Sequence, residues 1–89
     1  MKHSYLEVTF RKGKAIAAYL YLPRRAGAKS ARTVEVRPGI LVDYASTGEP
    51  IGLELTAPGQ VDAVLVNAVL GELGVGPVEA AELAPLRAA

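Results

Sequence analysis

Apolar and polar residues alternate with a period of two along most of the first 55 positions, and this pattern predicts five β-strands. Leu6, Val8 and Phe10 alternate with Tyr5, Glu7, Thr9 and Arg11. After Lys12-Gly13, Ile16, Ala18, Leu20 and Leu22 alternate with Ala17, Tyr19 and Tyr21. Side chains two apart share a face of an extended strand, so each run reads as a strand with one apolar face. The same holds for Thr33 to Arg37, where Val34 and Val36 share a face, for Ile40, Val42 and Tyr44, and for Ile51, Leu53 and Leu55. Pro38-Gly39 supplies the fixed φ and the positive φ of a type II turn, and Ala45 to Glu49 is a polar connection carrying Gly48. Connections this short force antiparallel neighbours. The stretch Arg24 to Ser30 holds no packing residue larger than alanine and is expected to be a mobile basic loop.

Beyond Leu55 the period becomes helical. Nine of the thirteen residues from Val61 to Leu73 are apolar, and Leu65, Val66, Val69, Leu70 and Leu73 form one stripe that predicts a helix covering the sheet. Asp62 is expected in its first turn, where a carboxylate meets the positive end of the helix dipole, and Gly74 at its C-terminal cap. A smaller stripe of Val61, Val64 and Ala68 is expected against a loop or a second subunit. Gly76-Pro77 followed by Val78 to Leu83 suggests a short final helix ahead of Pro85. The expected architecture is a single α+β domain over residues 1–89. It comprises a five-stranded antiparallel β-meander (4–56) and a helical C-terminal part (60–84), with one sheet face covered by the C-terminal helix.

Eighty-nine residues suffice for one core that buries somewhat over ~60% of the unfolded chain's surface, with little stability in reserve. Self-association as a homodimer is expected to help. The chain has no cysteine, which excludes disulfides and thiolate metal sites. No apolar run approaches the ~20 residues of a membrane-spanning helix, so a cytoplasmic location without membrane contact is expected.

The net charge of +1 conceals an asymmetry. Residues 1–37 carry nine Lys or Arg and two Glu, whereas residues 38–89 carry one Arg and seven acids. Arg11, Lys12, Lys14 and the loop 24–32 with Arg24, Arg25, Lys29 and Arg32 form a candidate anion or nucleic-acid contact. Solvation explains charges placed in turns, however, and the chain lacks the aromatic-glycine signature of an RNA-recognition sheet. Tyr5, Tyr19, Tyr21 and Leu41 point away from the apolar face and form a candidate interface, since tyrosine is enriched at the centre of protein contacts.

Nothing in the sequence assigns a reaction. His3 is the only histidine and is read as terminal ornament. Asp43 and Glu54 flank the 45–49 hairpin and form a candidate carboxylate pair for acid–base work or a divalent cation, but an aspartate at a strand end commonly bonds turn backbone. Ser30, Ser46 and Thr47 have no histidine nearby, and Gly13, Gly39 and Gly48 belong to three separate turns. No catalytic, cofactor-binding or metal-binding residue is assigned. The leading expectation is a non-catalytic interaction or regulatory module that occludes a partner protein. A weak nucleic-acid binder acting through the basic loop is the alternative, and a small enzyme or metal-binding domain ranks third.

The succession Ala18-Tyr19-Leu20-Tyr21-Leu22, Ala31 to Val36, Ile40-Leu41-Val42-Asp43-Tyr44, Gly48 and Ile51-Gly52-Leu53-Glu54-Leu55 resembles the small bacterial domain-of-unknown-function 2283 family over about residues 5 to 57. The resemblance implies a compact bacterial accessory domain, some of whose relatives pair with a toxin-like neighbour, and it implies no reaction. The chain departs from the family in its basic first turn, Arg11-Lys12-Gly13-Lys14, where relatives carry acids, and in the helix from Val61.

Overall fold

The computed structural model describes residues 3–88. Five strands form one antiparallel sheet: β1 (Tyr5–Arg11), β2 (Lys14–Tyr21), β3 (Ser30–Arg37), β4 (Ile40–Ala45) and β5 (Pro50–Leu55). The single α-helix among the described residues, α1, spans Ala63–Glu72. The α+β class and the antiparallel sheet match the sequence reading. The spatial order is β1-β2-β5-β4-β3, so β3, β4 and β5 run as a meander and the β1–β2 hairpin joins it through β2 and β5. Turn chemistry couples only consecutive strands. The β2–β5 pairing is instead explained by burial, because Leu20 lies opposite Leu53 and Ala18 opposite Leu55, all at 3% exposure or less. β5 thereby takes the centre of the sheet, between β2 and β4.

The turn at Pro38-Gly39 forms as expected, with Gly39 at φ 78°, in the region that glycine adopts without steric penalty. The β2–β3 connection crosses the end of β5, where the Leu22 amide donates to the Ile51 carbonyl (3.1 Å). β3 begins at Ser30, three residues ahead of the expected start.

The helix covers one face of the sheet. Val66, Val69 and Leu70 are buried, with Leu65 and Leu73 packed at the margin of the same core, so the predicted stripe is the buried one. Asp62 stands just before the first turn as the N-cap, its carboxylate accepting from the Leu65 amide (2.8 Å). A capping side chain satisfies an amide that the helix leaves without a partner, which places the start at Ala63 rather than Val61. At the other end, Gly74 has φ 74° and the Val75 amide donates back to the Leu70 carbonyl (2.9 Å), the glycine cap expected. The second stripe divides. Val61 is buried in the core while Val64 is 79% exposed.

The short final α-helix does not form. Residues 80–83 are turns and Ala84–Ala88 is a 3-10 turn. The segment nevertheless docks. Asn67 donates to the Val78 carbonyl (3.1 Å) and accepts from the Val78 amide (2.8 Å), which mimics a strand ladder and holds the chain extended where a helix was expected. Val78, Leu83 and Leu86 thereby enter the core.

Candidate functional site

All the helical and 3-10 cover described above lies on the core side of the sheet, so the other face is open. Strand register lays that outer face out in two adjacent rows. One runs Glu7, Tyr19, Glu54, Leu41, Glu35, and the next runs Tyr5, Tyr21, Gly52, Asp43, Thr33. The four residues expected to form an interface are thus on one face. Tyr5 and Tyr21 are cross-strand partners whose rings stack at 4.5 Å between centroids and 15° between planes. Tyr19 meets Tyr21 at 4.7 Å with a 57° tilt, within the range of favourable aromatic pairs. Leu41 sits in the row between Glu54 and Glu35.

Tyr19 is the fixed point of the face. Its ring crosses the backbone of Gly52 to reach β4, where the hydroxyl donates to Asp43 Oδ2 (2.6 Å). Thr33 on β3 donates to the other oxygen of the same carboxylate, Oδ1 (2.5 Å). One aspartate thereby ties three strands. Gly52 is required by this arrangement, since a Cβ there would lie 2.1 Å from the Tyr19 hydroxyl and 2.4 Å from two ring carbons. Burial, followed by the hydrogen bond and charge of Asp43, holds the Tyr19 hydroxyl well above the usual tyrosine range, with Arg24 acting in the opposite sense. Tyr21 is raised as well, by burial and then by Glu7, whose carboxylate accepts from its hydroxyl (3.3 Å).

The four candidate basic residues are not gathered together. Arg24 is drawn onto the sheet, donating to the Ile51 and Leu22 carbonyls and lying 5.4 Å from the Tyr21 ring centroid. This corrects the expectation of a uniformly mobile loop at its first residue, because the Leu22 carbonyl just past β2 and the Ile51 carbonyl near the start of β5 lie within reach of the guanidinium. Arg32 lies over the Tyr44 ring at 4.8 Å. Arg25 and Lys29 stay exposed and line a shallow cleft with Thr47 and Glu49. Asp43 and Glu54 are diagonal rather than opposite, and Asp43 is already engaged by two hydroxyls. Among the described residues no group of three or more His, Asp or Glu side chains is placed to hold a metal ion. His3 is exposed beside Ser4 and Pro23, at a cleft that Glu79 and Glu82 also line.

The fold and this face define a small α+β domain that presents one open, tyrosine-bearing sheet surface. Residues 17–57 match the model of a protein family of unknown function, DUF2283. The resemblance read from the sequence is borne out over β2 to β5, with β1 and the helix outside the matched segment. No curated protein and no solved structure matches the chain. The family-like residues Tyr19, Asp43 and Gly52, far apart in sequence, are the three that meet on the outer face. No helix among the described residues is long and apolar enough to cross a membrane.

Replacing Tyr19 by phenylalanine leaves the Asp43 carboxylate short of one donor, and the expected loss is about 1 kcal/mol at neutral pH, since the pair is only partly buried. The pH dependence has a definite sign. The folded-state pKa of Tyr19 lies above its unfolded value of about 10, so its contribution is complete below that pH and is lost as pH rises through the folded value. Tyr19→Phe is expected to weaken the alkaline fall in stability and to remove the tyrosinate absorbance step that lies well above pH 10, both measurable by ultraviolet titration and denaturation across pH.

Proposed function

We propose that this protein is a non-catalytic interaction module whose contact surface is the outer face centred on Tyr5, Tyr19, Tyr21 and Leu41. The observation that carries this reading is the Tyr19–Asp43–Thr33 tie, which fixes the ring against which Tyr21 and then Tyr5 pack, on a face that the described helical and 3-10 segments leave open and that the Arg24 guanidinium borders at Tyr21. Rigid aromatic surface loses little side-chain entropy on binding, and buried tyrosines are frequent binding hot spots. Glu7, Glu54 and Glu35 alternate with Tyr19 and Leu41 along one row, which suits a partner protein with an apolar ridge flanked by Lys or Arg. The mechanism is occlusion of the partner's surface. The module acts without cofactor.

The test is titration of the protein partner captured from the native host. Leu41→Lys places a cation between Glu54 and Glu35, so the fold should tolerate it, and partner affinity is expected to fall at least about tenfold, the factor set by 1.4 kcal/mol. Arg25→Ala with Lys29→Ala is expected to leave that affinity unchanged. The opposite pattern, with loss only in the loop variant and a steep dependence on salt, would move the contact to the basic loop and favour nucleic acid.

A further inference from the structure

We propose that the free edge of β1 pairs antiparallel with β1 of a second copy, about a two-fold axis at Val8, to make one continuous ten-stranded sheet. This goes beyond the outer-face reading and does not depend on what that face binds.

The two edges of the sheet are unlike. Along β3 the ladder shifts register at both ends, between Ser30 and Arg32 and between Glu35 and Arg37. Arg32 and Arg37 there lie opposite Tyr44 and Ile40, on the core side, where Arg32 covers the Tyr44 ring and Arg37 is ion-paired with Glu72. Bulges and inward charges are the devices that keep an edge from recruiting another strand. β1 has neither. Its seven residues contain no proline or glycine, and the one shift in its ladder leaves Ile16 of β2 without a partner, so the backbone of β1 itself is unbroken. Its core-side row of Leu6, Val8 and Phe10 is incompletely covered, with Phe10 50% exposed, and Tyr5 on the outer face is 45% exposed.

The sequence of β1 is complementary to itself in one register. With Val8 opposite Val8, Leu6 meets Phe10, Glu7 meets Thr9 and Tyr5 meets Arg11, so all seven residues pair and each face keeps its character. A shift by one residue would turn the apolar row to the wrong face. A shift by two toward the N-terminus sets Glu7 against Glu7, and a shift by two the other way drives the pairing into the Lys12-Gly13 turn. The pairing is isologous and closed. It sets both outer faces on the same side and brings Arg11 of the second copy against the exposed side of Tyr5, extending the tyrosine row across the axis with a cation–π contact.

The absence of cysteine makes a direct test simple. Opposed residues of an antiparallel pair have Cα atoms about 4.5–5.5 Å apart, within the range a disulfide bridges. Under mild oxidation at micromolar concentration, Val8→Cys is expected to give a disulfide-linked dimer, while Val34→Cys on the opposite edge gives none. Light scattering on the unmodified protein should return twice the mass of one chain, and Phe10→Lys should return one chain with an unchanged circular dichroism spectrum. A monomer that fails to cross-link at Val8, a dimer that cross-links through Val34, or a dimer that cross-links at neither position would each overturn the proposal.

Discussion

Gly52→Ala is expected to destabilise the protein by about 1–3 kcal/mol, the range for losing a partly buried hydrogen bond and leaving its partner unmet, with the displacement of the ring added. The sign is the informative part. A glycine inside a strand ordinarily weakens it by roughly 0.5–1 kcal/mol relative to alanine, so an unconstrained site would gain stability from the change. Here the added methyl would occupy the space of the Tyr19 hydroxyl, 2.1 Å away. The ring must swing off β5, and the link to Asp43 is lost with it. Urea denaturation of the single variants and of Gly52→Ala combined with Tyr19→Ala checks this. If the clash is the cause, the second change relieves the first and the two effects fail to add by more than about 0.5 kcal/mol, the usual limit of additivity.

Leu70→Ala is expected to have a still larger effect. Leu70 is fully buried between α1 and the sheet, and truncations of this kind remove about 2–5 kcal/mol. A domain of this size holds about 5–15 kcal/mol in total, with small domains toward the lower end, so the variant should be partly unfolded near physiological temperature. Denaturation followed by circular dichroism checks it. The same measurement on Val64→Ala, on the exposed side of the helix, should stay within about 0.5 kcal/mol of the unmodified protein. Equal effects at the two positions would mean that α1 does not pack as described.

The strands, the turns at Gly39 and Gly48 and the buried stripe of α1 were legible because each rests on local periodicity or on φ requirements of a few residues. Strand order was not, since pairing β2 with β5 depends on the burial of Leu20 against Leu53, contacts between residues with no turn in common. The final segment misled for a related reason. Proline followed by apolar and acidic residues reads as a helix start, but the side chain of Asn67 competes for the backbone of Val78 and holds it extended. At the outer face, period-two alternation identified Tyr5, Tyr19, Tyr21 and Leu41 as one surface. The roles of Asp43 and Gly52 stayed hidden because they come from a ring crossing a neighbouring strand. A glycine between two apolar residues of a strand, with a tyrosine among the outward residues of another, is the sequence signal of such a crossing.

The central claim is that the outer sheet face engages a protein. Affinity capture of the tagged protein from its native host, in parallel with and without nuclease and across salt concentrations, tests it most directly. One dominant protein that survives nuclease and salt and is lost with Leu41→Lys is the predicted result. Recovery of nucleic acid that nuclease abolishes, unaffected by Leu41→Lys and lost with Arg25→Ala and Lys29→Ala, would contradict it.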